Sequence, residues 1–239
     1  MVDTVTSSTR PKHPYFATLL VLVAVIILCG LGLWQMQRAE QKQSRLEQIE
    51  QRSSTARLSL RELLEFEEKR DLPFEVFGAP DPEKVFYLDN RIESGHVGYH
   101  VLVPVETDYG VQLINFGWIK AEQLRTQLPE VKIDATAQQY IGVSAVPNIN
   151  PMVTETATKQ DGWPLVIQQI DLPLMSTFLG IQLSPVVMQL SPEHPAGLVR
   201  NWKPVVMSPQ KHYGYAIQWF GLAIACLVIY IVALLKRNR

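Results

Sequence analysis

The sequence predicts an integral membrane protein in which two transmembrane α-helices flank a mainly antiparallel β (α+β) extracytoplasmic domain, built as a sandwich or small barrel. Three observations predict it. Two uncharged apolar runs lie near the ends of the chain, YFATLLVLVAVIILCGLGLWQ at 15–35 and YGYAIQWFGLAIACLVIYIVALL at 213–235. Each is long enough at about 1.5 Å per residue to cross a hydrocarbon core of roughly 30 Å. From residue 74 the texture changes to short β-prone runs separated by turn residues. That stretch has no βαβ alternation, no glycine-rich phosphate loop and no internal repeat.

The elements follow in order. Residues 1–14 are polar, hold two prolines, and form a cytoplasmic tail. The helix at 15–35 is anchored by Tyr15, Phe16 and Trp34 at its interfaces. It is too long for a signal-peptide core, and Leu31-Gly32-Leu33-Trp34 offers no small-x-small cleavage site, so it is retained. Residues 36–72 form a helical stalk rich in Gln, Glu and Arg, interrupted at Ser53-Ser54-Thr55. Ser59 and Glu62 then fit a capping box that starts a short helix to about Lys69.

Residues 73–211 form the β-rich domain. PFEVFGAP alternates, KVFYLDNR ends in a turn at Asp89-Asn90, and YHVLVPVETDYGVQLINFGWI reads as a hairpin turning at 107–110. QYIGVSAVP, PLVIQQIDLP and SPVVMQLS add strands. LPLMSTFLG is a short helix stopped by Gly180. The second membrane helix at 213–235 is flanked by Tyr213, Tyr215 and Trp219, and residues 236–239 are a basic cytoplasmic tail. The basic flanks place both termini in the cytoplasm (or mitochondrial matrix) and the domain outside.

The totals exclude several functions. With 22 basic and 23 acidic residues the net charge is −1, which argues against nucleic acid as a partner. Cys29 and Cys226, one in each membrane helix, are the sole cysteines and read as packing residues. The outer domain therefore has no disulfide and no Cys-x-x-Cys pair for thiol exchange or copper handling. No Gly-x-Ser-x-Gly, His-Glu-x-x-His or metal-spaced carboxylate cluster is present, so no enzyme activity is expected.

Of the five histidines, His13 sits in the tail and His194 in a loop between prolines, while His96 and His100 flank a strand start. His212 differs by position. On a helix it shares a face with Tyr215, Ala216 and Trp219. Two readings stay open from spacing alone: a haem axial ligand above flat aromatics, and an interfacial histidine in an aromatic belt. Gln218 is the one amide in that helix and faces a partner helix instead of lipid. Gly221 and Ala225 form a small-xxx-small pair, with Gly30 and Gly32 as counterparts on the first helix.

The chain resembles the Surfeit-locus (Shy-type) cytochrome c oxidase assembly factors. The resemblance rests on LGLWQMQRAEQK, LDNRIESGHVGYHVLVPVE, the Gly117-Trp118 pair of INFGWI, the Trp163 and Asp171 region, NWKP and KHYGYAIQWFGLA, in that order. It implies a non-enzymatic maturation factor of a bacterial inner membrane, multi-pass, with a periplasmic main domain, that assists haem A delivery to or insertion into oxidase subunit I. It implies haem A as a transiently bound cofactor, with His212 as iron ligand and Tyr215, Gln218, Trp219 and Trp34 lining the site. Arg38 and Lys203 are then either propionate partners or solvated flanking charges. The implied partners are subunit I, other assembly factors and membrane lipid; a homo-oligomer stays open. The alternative is a cofactor-free scaffold that stabilises oxidase intermediates through the outer domain. One departure stands out: Phe116 replaces the arginine that often precedes the Gly-Trp pair, and the Gly117-Trp118 segment reads as a packed β-turn.

Overall fold

A computed structural model of the chain describes residues 15–53, 56–158, 162–195, 198–204 and 206–237. The tail at 1–14 with His13, and residues 238–239 of the basic tail, lie outside the described residues. The chain divides into two compact units. One runs to Glu47 and resumes at Pro204; the other is Gln48–Lys203.

The first unit is a helix pair. α1 (Tyr15–Ser53) does not stop at the expected residue 35 but continues through the Gln/Glu/Arg-rich stretch, as the helix propensity of those residues favours. α4 (Pro209–Arg237) starts four residues before the expected 213, with proline at its first position, where a missing N–H costs nothing. Both helices are long and apolar enough to cross a membrane. Leu19, Leu20, Ile26, Ile217, Ile224 and Ile229 are exposed along them, as in helices that meet lipid on most sides.

The second unit is an eight-stranded sheet. Its strands are β1 (Leu58–Ser59), β2 (Pro73–Pro80), β3 (Phe86–Glu93), β4 (His96–Thr107), β5 (Gly110–Lys120), β6 (Gln138–Ala145), β7 (Leu165–Ile167) and β8 (Leu183–Leu190). The order is β1-β2-β6-β8-β5-β4-β3-β7, and β2 also pairs with β4. Strands β2, β6, β8, β5 and β4 therefore close a five-stranded barrel, with β3 and β7 extending one side. Of the expected sandwich or small barrel, the barrel is what forms. Pairing is mainly antiparallel, but β5–β8, β3–β7 and β1–β2 run parallel.

The apolar run HVLVPV in β4 is buried on both faces. Val101, Val103 and Val105 point into the barrel with Phe74, Ile114, Phe116, Tyr140 and Met188. Leu102 points the other way, into a second cluster with Phe86, Leu113, Ile167 and Met175. Met175 lies on α3 (Leu172–Leu179), which is capped by the Asp171 side chain and ended by left-handed Gly180. Trp163 packs edge-on against Phe86 at 4.9 Å between centroids.

Three expectations are corrected here. α2 (Leu60–Glu65) ends four residues before Lys69, because Glu65, Glu67 and Glu68 would crowd carboxylates at a negative helix terminus. Asp89-Asn90 does not end β3: Asn90 adopts φ 57°, the pairing shifts register between Leu88 and Arg91, and the strand resumes to Glu93. Gly117-Trp118 is not a turn but lies inside β5, at a second irregularity where Val101 pairs Gly117 and Leu102 pairs Asn115.

The capping box of α2 is present as read. Glu62 N donates to Ser59 Oγ at 3.3 Å, and the Ser59 backbone N donates to Glu62 Oε2 at 2.8 Å. The Ser59 backbone N–H, first, and the Ser59 hydroxyl, which donates to Glu62 Oε2 at 2.8 Å, hold the Glu62 carboxyl below its ordinary range. Ser59→Ala is expected to lower stability by about 1 kcal/mol in chemical denaturation of the full chain.

Candidate functional site

The helix pair carries the candidate site. Its two helices are antiparallel and joined by a polar contact near each end. His212 Nδ1 donates to Gln35 Oε1 at 2.7 Å. Thr18 and Tyr230 share a hydroxyl hydrogen bond at the other end. Gln35 and Thr18 are 17 residues apart, about 26 Å along the helix, close to the thickness of a hydrocarbon core. Between them the helices touch through small residues. Gly32 is buried, and a Cβ there would lie 2.6 Å from Phe220 Cε1. Ala216 and Ala223 are buried on α4. Of the four expected small contact residues, Gly32 carries the approach; Gly30 and Gly221 have open space where a side chain would be.

The bond to Gln35 decides what His212 can do. An amide oxygen accepts only, so Nδ1 carries the proton, and in the neutral ring Nε2 keeps its lone pair. Among the described residues Nε2 has no partner. A ligating histidine held through its other nitrogen has this arrangement. Trp219 and Ala216 follow on the same face, Ala216 small and buried. Tyr215 is half-exposed beside them. Trp34 is exposed, with the Arg38 guanidinium 5.7 Å over its ring. Gln218 is also exposed, six residues and so well over half a turn round from His212. The donor set suits a haem: one imidazole with a fixed tautomer, flat aromatics, a small residue beneath, and Arg38 at the interface. Gln35 is the residue the sequence reading did not assign. Its signal is there, an amide at the end of an apolar run, seven residues on from Leu28.

The other described histidines do not form a metal site. Among the described residues no group of three or more His, Cys, Asp or Glu side chains can hold a metal. His96 is exposed, its Nδ1 3.1 Å from Ser94 O. His100 Nδ1 accepts from Asn115 Nδ2 at 3.1 Å and meets Trp202 edge-on at 5.5 Å. Burial first, then the Arg91 charge, push its pKa down to about 4 against a weaker pull from Glu93. His194 is a loop residue as expected, but its ring stacks on Tyr140 at 5.4 Å and burial lowers its pKa.

His100 makes the β unit acid-sensitive. Its folded pKa lies below the ordinary 6.5, so between pH 6.5 and about 4 the unfolded chain takes a proton that the folded chain refuses. Stability is expected to fall across that window by up to about 3 kcal/mol. Denaturant midpoints measured against pH check this, and His100→Gln, which keeps an acceptor for Asn115, is expected to lose that part of the acid limb.

Residues 198–203 bind back onto the barrel. Trp118 and Val199 exchange backbone hydrogen bonds at 2.7 and 3.0 Å. Arg200 Nη1 donates to Phe116 O at 3.3 Å, and Nη2 donates to Pro192 O at 3.2 Å and to His194 O. Trp202 Nε1 donates to Leu190 O at 2.8 Å. Lys203 stands 3.8 Å from Glu93, which is also bonded by Asn201. Phe116 itself fills the barrel interior, against Tyr140.

The SURF1 family model matches residues 22–224, a span that takes in both Gln35 and His212. The chain belongs to the SURF1 family. A SURF1-like protein of Rickettsia felis is 26% identical over 235 residues, covering 90% of this chain and 95% of that protein. Surfeit locus protein 1 of Mus musculus is 22% identical over 251 residues, covering 98% and 80%. That of Homo sapiens is 23% identical over 238 residues, covering 92% and 78%. Among these SURF1 relatives are bacterial as well as animal proteins, and the match runs through both helices and the barrel between them.

Proposed function

We propose that this chain is an assembly factor for haem-copper cytochrome c oxidase that assists haem A delivery to or insertion into subunit I, with His212 as the axial ligand. The observation that carries the reading is the His212–Gln35 hydrogen bond, which leaves Nε2 with its lone pair at the end of a membrane helix. Haem A, when bound, supplies an iron that takes an imidazole nitrogen and a porphyrin bearing propionates. Gln35 orients the imidazole and fixes its tautomer. Trp219 and Tyr215 offer flat apolar surface, and Arg38 offers a cation at the interface. Lys203, engaged with Glu93, reads as a structural charge. The protein is not an enzyme on this reading. It resides in the bacterial inner membrane, crosses it twice, keeps both termini in the cytoplasm and places the barrel in the periplasm, where it meets subunit I and other assembly factors.

One observation favours the scaffold alternative. The barrel surface carries a depression of about 390 Å³ lined by Phe77 and Tyr109, both more than half exposed. Such a patch fits a protein contact that needs no cofactor. Deletion of the chain in a haem A-producing host separates the two readings. Delivery predicts subunit I that accumulates with little haem A. A scaffold without a cofactor predicts subunit I that is itself lost.

A further inference from the structure

His212, Tyr215, Trp219, Leu222, Cys226, Ile229 and Ala233 succeed one another at steps of three and four, so they form one stripe along α4. On α1, Val21, Leu28 and Gln35 succeed one another at steps of seven and form the facing stripe. The His212–Gln35 bond joins the two stripes at one end. Further along them a cleft of about 540 Å³ opens, with Val21 and Leu28 on one side and Leu222, Ala225, Cys226 and Ala233 on the other. Its lining is apolar, and the Thr18–Tyr230 bond lies at its far end. Leu222 is about 15 Å along the helix from His212, and Cys226 about 21 Å.

In a bilayer a groove of this kind gains nothing from the hydrophobic effect, because acyl chains are as apolar as its walls. It selects an occupant only by contact, and only a chain already tethered nearby gains over bulk lipid. A ligand with a metal-bearing head at His212 and a long flexible apolar tail has that form. We propose that this cleft seats the isoprenoid tail of haem A. The proposal rests on the reading of His212 as axial ligand. A farnesyl chain extends about 15 Å at roughly 1.3 Å per bond, which carries it from a porphyrin edge near Trp219 past Leu222 and Cys226. Ala225 and Ala233 are the small residues that keep the groove open.

The test titrates the full-length apoprotein in nanodiscs with haem B and haem O, which share the porphyrin core but differ in the farnesyl-bearing substituent. Wild type is expected to bind haem O at least about tenfold tighter than haem B. The groove-filling double variant Ala225→Phe/Ala233→Phe is expected to lose that preference while its haem B affinity is unchanged, which also shows that the helix pair is intact. His212→Ala is expected to weaken both haems. Equal wild-type affinity for both haems, with both lost in His212→Ala, overturns the tail site and leaves the ligand reading standing; a groove holding only bilayer acyl chains behaves so. A haem O preference that survives groove filling also overturns it. Wild type that binds neither haem, or His212→Ala that binds both unchanged, overturns the ligand reading and the tail site with it.

Discussion

Gly117→Ala is expected to destabilise the β unit by about 3 kcal/mol or more. The residue has φ 126°, a region that a side chain rarely adopts. A Cβ there would also stand 2.8 Å from Val199 O and 2.8 Å from Arg200 Cγ. Val199 O is the acceptor for Trp118 N, so the clash falls on a backbone hydrogen bond that holds residues 198–203 to β5. Strain and lost bonding add, because the neighbour that must move is backbone on one side and an anchored arginine on the other. Gly95→Ala is the control. Gly95 also has positive φ, 80°, but open space around it, and its expected cost is about 1 kcal/mol. Denaturation of both variants in the full chain checks the difference; equal losses would mean that close packing against 199–200 contributes nothing.

His212→Ala is expected to reduce haem A affinity at least about a hundredfold, since it removes the nitrogen that holds the iron. The melting of the β unit should not change, because His212 lies in the helix pair. Gln35→Leu removes only the partner that orients the ring, and the expected loss is about tenfold, with haem still bound. The graded pair separates ligand from positioning residue. Free imidazole supplies a further readout: His212→Gly is expected to regain a haem A Soret band when imidazole is added, which a purely structural role of His212 would not produce.

Much of the architecture was legible in the sequence for local reasons. The two membrane helices are contiguous uncharged runs. The capping box at Ser59 and Glu62 and the hairpin at 107–110 are short-range patterns, and both hold. Barrel closure was not legible. It depends on β2 pairing with β4 and β5 pairing in parallel with β8, contacts between distant segments that leave no local signature. Gly117, beside a large aromatic, has the local composition of a turn; its reason is the approach of residues 198–200, which follow it by some eighty positions. At the candidate site, the stripe of His212, Tyr215 and Trp219 was readable from helical period. Gln218, which the resemblance adds to the site, is exposed and six residues on from His212, outside the three- and four-residue steps of that stripe. Gln35 stayed hidden because an amide at the end of an apolar run looks like an interfacial residue until its partner is seen.

The most direct test of the account is the haem A content of the full-length protein, purified in detergent from a host that makes haem A and measured by visible spectrum against protein concentration. Haem ligation by His212 predicts a haem A Soret band that copurifies with the chain and is absent from His212→Ala prepared in parallel. Wild-type protein that emerges folded and colourless from membranes containing haem A would contradict it.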